Sequence, residues 1–206
     1  MPTKNPNTRP DETREEWLHR FTDKFARPLF ADAGYTVPDK LSLSMGFPSK
    51  GKRGKAIGEC WSSKAVDGDV HAIIIRSTLV DGARIADVLL HEIVHATVGV
   101  DKKHNTIFKA CALAIGLEGK MRSTVAGEEL ATQIAEWITA HGDIPHNAIK
   151  NTAHSTSKTQ TTRMIKIVCL GCGYTCRTTR KWLEMGTPLC PDMGCSDYGC
   201  EMDVEG

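Results

Sequence analysis

The segment that most limits how this chain can fold is ARIADVLLHEIVHATVG, residues 83–99. Ile85, Val88, Leu89, Leu90, Ile93, Val94 and Val98 fall at helical spacing but occupy most of the circumference. A helix apolar on nearly every side is a buried helix rather than an amphipathic one. Asp81 is suited to cap its start, and Gly99 and Asp101 offer an exit. Two histidines and a glutamate, His91, Glu92 and His95, stand inside its apolar stretch. Burying them without partners would cost several kcal/mol. Any fold that contains this helix must therefore give that trio a partner.

The spacing states which partner. Residues i and i+4 share one face of a helix, so the imidazoles of His91 and His95 point at one ion. Glu92, offset by one residue, reaches the same place without being a ligand. This is the HExxH arrangement, two zinc ligands and a general base. Zinc lowers the pKa of a bound water to about 7, which makes hydroxide available at neutral pH. A catalytic zinc takes three protein ligands and keeps one position open. His104 follows His95 by nine residues. On a straight helix it would lie roughly 13 Å along the axis. The chain must turn back to bring it in, and Gly99-Val100-Asp101 is a suitable place. Asp101 and His71 are weaker candidates for the third ligand.

Residues 11–32 read as a helix with Trp17, Leu18, Phe21, Phe25 and Leu29 on one side. Between residues 33 and 80 the pattern changes to KLSLSMGF, IGECWSS and HAIIIRST, read as three short strands. The loop after the first carries Lys50, Lys52, Arg53 and Lys55, as a solvated hairpin tip or a phosphate contact. Further helices are expected from about Asn105 to Ile115 and from Ala126 to Ala140. Trp17, Trp61 and Trp137 are expected in the core, with Cys60 and Cys111 as small buried hydrophobes. His146 is read as a capping or packing residue. Residues 147–162 are rich in Thr, Ser, Asn and Lys and lack periodicity, as a flexible linker does. The division expected is a body over 11–146, the linker over 147–162, and a tail over 163–206.

The tail holds six of the eight cysteines: Cys169, Cys172, Cys176, Cys190, Cys195 and Cys200. The polar N-terminus has no hydrophobic segment, so an intracellular, cytoplasmic chain is expected, in which such a cluster reads as metal-binding. Cys169-Leu-Gly-Cys172 supplies one knuckle and Cys190-Pro-Asp-Met-Gly-Cys195 the other. The result is a four-thiolate zinc ribbon, with Cys200 as the alternative to Cys195. Cys176 is read as a spare thiol. The tail has too few apolar residues to fold without a metal. Between the knuckles, Arg177, Arg180, Lys181 and Trp182 combine cations with an aromatic, which suits phosphate and a stacked base. Asp192, Asp197, Glu201, Asp203 and Glu205 weigh against that reading.

Composition adds limits rather than a function. The 206 residues are 40% hydrophobic and 25% charged with a net charge of +1, which fits a globular chain and makes any nucleic-acid binding local. No apolar run approaches the roughly 20 residues that span a bilayer, so no membrane partner is expected.

HEIVHA, then His104, then Phe108-Lys109 on a new helix resembles the SprT-like metallopeptidases, the family that includes Spartan. IRSTLVDGARIADVLLHEIVHA is similar to that family's strand, turn and catalytic helix, and GLEGK also fits. The likeness covers about residues 11–146, and the tail extends it, because family members often end in a zinc-binding module. The family usually has His-Gly at the third ligand, where this chain has His104-Asn105. The resemblance implies an α+β fold of the zincin-like kind, with helices packed on a small three-stranded sheet, followed by a zinc ribbon. It implies His91, His95 and His104 as ligands of a catalytic zinc, Glu92 as catalytic base, and a second, structural zinc. It implies an endopeptidase acting on proteins associated with DNA, with single-stranded DNA as a possible partner, in a bacterium or a phage-infected cell. A nucleic-acid-binding adaptor that keeps the zinc without turnover is the alternative.

Overall fold

A computed structural model of the chain describes residues 8–9, 11–145, 148–149 and 164–205. The chain divides into two compact units, Met1–Ala153 and His154–Gly206. The expected linker lies outside the described residues except at Ala148 and Ile149, and His146 lies outside them too. The Ile149 N–H donates to Ser77 O at 3.0 Å, so this one position is tied to the first unit. The architecture is mixed α+β, with small sheets and helices.

In the first unit, α1 (Arg14–Phe21) opens with a capping box between Thr13 and Glu16. A π-helical turn, Thr22–Ala26, separates it from α2 (Arg27–Asp32). The single helix read over residues 11–32 is therefore interrupted, and Pro28 supplies the reason. Proline lacks the N–H that would bond four residues back, and its ring crowds that carbonyl. Trp17, Phe21, Phe25 and Trp137 stack and cross edge to face with ring centres 4.8–6.4 Å apart. Each such pair contributes about 0.5–1.5 kcal/mol beyond its buried area.

The main sheet is built from β1 (Leu41–Gly46), β2 (Gly58–Trp61) and β3 (His71–Arg76) in the order β1-β3-β2. β3 is central, parallel to β1 and antiparallel to β2. β1 and β2 are not partners, so the basic loop between them is not a hairpin tip. Arg76, at the end of β3, donates to the carbonyls of Lys52, Gly54 and Ala56 and holds that loop from beneath. β2 is a four-residue edge strand, and Trp61 at its end is 41% exposed rather than in the core. Its indole N–H donates to Glu59.

The buried helix is α3 (Gly82–Val98), capped by Asp81, whose side chain accepts from Arg84 N at 2.7 Å. Arg14 is buried and donates to Ser77 O and Leu79 O, which fixes the turn that delivers the chain from β3 into α3. α4 (Thr106–Ala114) follows, and then a hairpin that the sequence reading did not anticipate, β4 (Leu117–Lys120) and β5 (Ser123–Ala126). α5 (Glu128–His141) completes the unit and starts two residues later than expected. The core runs from Trp17 and Phe30 through Ile73, Ile75 and the apolar faces of α3 to Phe108, Ile134 and Trp137.

In the second unit, β6 (Ile165–Val168) pairs antiparallel with β7 (Thr175–Thr178) on one side and with β8 (Asp203–Glu205) on the other. A short helix, α6 (Arg180–Leu183), follows β7. Among the described residues the buried core is Ile167, Cys169, Cys190 and Met202, with Cys176, Leu183 and Cys195 packed against it. So small a core does not hold a fold of this kind together unaided.

Candidate metal centres

Among the described residues two groups of ligand-type side chains converge, one in each unit. The first is His91, His95 and His104. α3 sets His91 and His95 on one face, with Nε2 of each 3.2 Å from Nε2 of His104. Nitrogens bound tetrahedrally at about 2.0–2.1 Å stand about 3.3 Å apart, so the trio has the span of a zinc site. His104 arrives as the turn at Gly99 requires. Gly99 has φ 100 and ends α3, a single 3-10 turn spans Val100–Lys102, and Lys103 takes φ 50. An L side chain rarely adopts a φ of 100, so the turn depends on glycine at position 99. Asn105 then caps α4 by accepting from Ile107 N and Phe108 N. The asparagine after the third histidine starts the next helix and leaves the imidazole free. Asp101 is exposed and paired with Lys102, and neither it nor His71 joins the group.

Burial shapes the electrostatics. It pushes His91 down to about 3, with His95, His104 and Arg84 adding to the shift. It pushes His95 down to about 4, with His104 adding to it. His104 is lowered by burial and by Arg122. All three are neutral imidazoles at pH 7, the form that binds a metal. Glu92 is 6% exposed, and burial, assisted by Glu59, raises its carboxyl to about 8. Its carboxylate makes no hydrogen bond or ion pair among the described residues.

The group opens into a cleft of about 470 Å³. One wall is β2 and the residues before it, Lys55 to Cys60; the other is the β4–β5 hairpin at Arg122, Ser123 and Thr124. Cys60 is half-buried on this wall, packed against the core rather than enclosed by it, and burial beside Glu92 pushes its thiol up to about 12. Cys111 is buried as expected. Thr124, which sequence reasoning missed, is 4% exposed and places Oγ1 2.8 Å from His91 Nδ1. Asp87, one turn before His91, accepts from Ala126 N at 2.7 Å and pairs with Arg84 at 2.8 Å. The helix thus anchors the hairpin that orients its own ligand. His95 Nδ1 is buried and has no hydrogen-bond partner among the described residues.

The second group is Cys169, Cys172, Cys190 and Cys195. Cys169 follows β6, and Cys172 stands in the turn before β7. The sulfurs of Cys169 and Cys195 are 3.6 Å apart, and those of Cys172 and Cys190 are 3.7 Å apart. Thiolates bound tetrahedrally at about 2.3 Å stand about 3.8 Å apart, so this group also fits zinc. The Cys172 N–H in particular holds the Cys169 thiol down to about 7. Gly171 is needed for space, because a Cβ there would press on the Asp197 carboxylate and lie 2.9 Å from Cys195 Sγ. Of the two candidates for the fourth position, Cys195 is in the group and Cys200 is exposed outside it. Cys176 is half-buried against the small core.

The residues read as the nucleic-acid contact are on the surface. Arg177 lies on β7, and Arg180, Lys181 and Trp182 lie on α6, all exposed. Trp182 is 55% exposed, with Lys181 Nζ 5.2 Å from its ring centre. Leu183, not Trp182, packs on the core.

No helix among the described residues is long and apolar enough to cross a membrane. Comparison with protein-family profiles, curated proteins and solved structures finds no match to this chain.

Proposed function

We propose that this chain is a zinc-dependent endopeptidase of the SprT-like, zincin-like type, with a zinc ribbon that brings it to nucleic acid. The observation that carries the reading is Glu92. A carboxyl that is 6% exposed, without a hydrogen-bond partner among the described residues and beside three converging imidazoles, is costly to ionise where it stands, and no structural contact accounts for its presence. It suits a general base. Its carboxyl near 8 in the metal-free site would be drawn down by an adjacent dication toward the working pH, where proton transfer is most efficient.

His91, His95 and His104 would hold the ion, and Cys169, Cys172, Cys190 and Cys195 a second, structural one. A bound zinc supplies Lewis acidity to the attacking water and the scissile carbonyl. Glu92 takes the proton of that water and passes it to the leaving amine. The cleft between β2 and the β4–β5 hairpin receives the polypeptide. Arg177, Arg180, Lys181 and Trp182 form the nucleic-acid contact, where the exposed indole stacks a base and the cations hold phosphates. The substrates are proteins associated with DNA, and single-stranded DNA is the partner that directs cleavage.

The test is cleavage of a DNA-binding protein, and of the chain itself, with and without single-stranded DNA. Glu92→Gln should keep its zinc and lose on the order of 10²–10⁴-fold in rate. Full activity in that variant defeats the mechanism. No cleavage by zinc-loaded wild type, with DNA affinity retained, would instead make the chain a zinc-containing nucleic-acid adaptor.

A further inference from the structure

β2 crosses directly over Glu92 at Gly58. A Cβ on Gly58 would lie 2.5 Å from Glu92 Oε1, 2.9 Å from Glu92 Cγ and 2.6 Å from Val88 Cγ1. Gly58 does not have a positive φ, so glycine is present there for space, not for backbone freedom. The strand cannot easily retreat. Gly58 to Trp61 pair with Ile75 to Ala72, Arg76 N donates to Ile57 O at 2.9 Å, and the Arg76 side chain holds Gly54 O and Ala56 O. The helix cannot retreat either, because Leu89, Leu90 and Ile93 around the site are fully buried in the core. The Glu92 side chain is the movable member of this contact, and no hydrogen bond to the described residues fixes it.

We infer that Gly58 is a positioning residue for Glu92: its missing side chain leaves the notch that the carboxylate occupies, and packing rather than hydrogen bonding aims it. This rests on Glu92 as the general base. An active-site carboxylate displaced by about 1 Å loses on the order of 10²-fold in rate. The side chain that decides the direction of the base would thus be one that is absent, on the strand opposite the helix.

Gly58→Ala in the full zinc-loaded chain is the test. It should keep both metal equivalents and lose about 10²-fold in kcat with KM little changed. Glu92→Asp, shorter by one methylene, should cost less activity in the Gly58→Ala protein than in the wild type. Thermal melts give an arm that needs no turnover: Gly58→Ala should lower Tm more when Glu92 is present than in a Glu92→Ala background. Wild-type kcat in Gly58→Ala, or additive effects of positions 58 and 92 on Tm, overturn the inference. If the wild type cleaves nothing, the peptidase reading fails, and the melting cycle still decides the role of Gly58.

Discussion

His91 Nδ1 lies 2.8 Å from Thr124 Oγ1, across 33 residues of chain. When His91 binds an ion through Nε2, Nδ1 carries the proton and donates it to the threonine hydroxyl, which fixes both tautomer and ring angle. Thr124→Val keeps the shape and removes the acceptor. Metal affinity at the histidine site should fall by about 10–100-fold, read by competition with a chelating dye. The cysteine site should be unaffected. Unchanged affinity would mean that packing alone orients His91.

Metal content separates the cysteines. The wild type should bind two zinc equivalents. Cys195→Ser should lose the second and unfold the tail, because its core is too small to persist without the ion. Cys200→Ser and Cys176→Ser should retain both. Retention of two equivalents by Cys195→Ser would place another ligand in the fourth position.

The chelator-treated protein should show a stability maximum near pH 6.5 from its histidine site. His91 and His95 are depressed to about 3 and about 4 from 6.5. Below pH 6.5 the unfolded chain takes protons that the native site refuses, so stability is lost as pH falls toward 4 and 3. Glu92 is raised from 4.5 to about 8 and works in the other direction. Its native state holds a proton that the unfolded chain releases, so its contribution is lost as pH rises from 4.5 through 8. Glu92→Gln should remove the alkaline decline and steepen the acid one. Urea midpoints at pH 5, 6.5 and 8 check this, and identical profiles for the two proteins would contradict it.

The sequence showed most of the helix that carries the site, because its signals are local. Asp81 caps, HEIVH is spaced by four, and Gly99 permits the reversal that recovers His104. The β4–β5 hairpin was hidden for a physical reason. Ordinary strands bury apolar residues and expose polar ones, but here Thr124 is buried and Val125 is 47% exposed. The alternation is inverted because the inward residue serves an imidazole. Trp61 and Cys60 lie further out than expected for a related reason. Their four-residue strand is an edge, which exposes the indole and leaves Cys60 half-buried beside the cleft. The parallel pairing of β1 with β3 depends on contacts far apart in the chain, and no local pattern states it.

The two ligand sets differ from Thr124 in the span of chain they enclose. His91 to His104 is a separation of 13 residues, and Cys169 to Cys195 is 26. Loop-closure entropy rises only slowly with length, and both loops are short. Each ligand set can therefore close within one contiguous stretch, without waiting for pairings between distant segments. The hydroxyl that orients His91 arrives only after the next helix and hairpin have formed. Each ligand set is thus local in the chain, whereas the hydroxyl that orients His91 is not, so the convergence of ligands and the aiming of one of them rest on contacts of different sequence range.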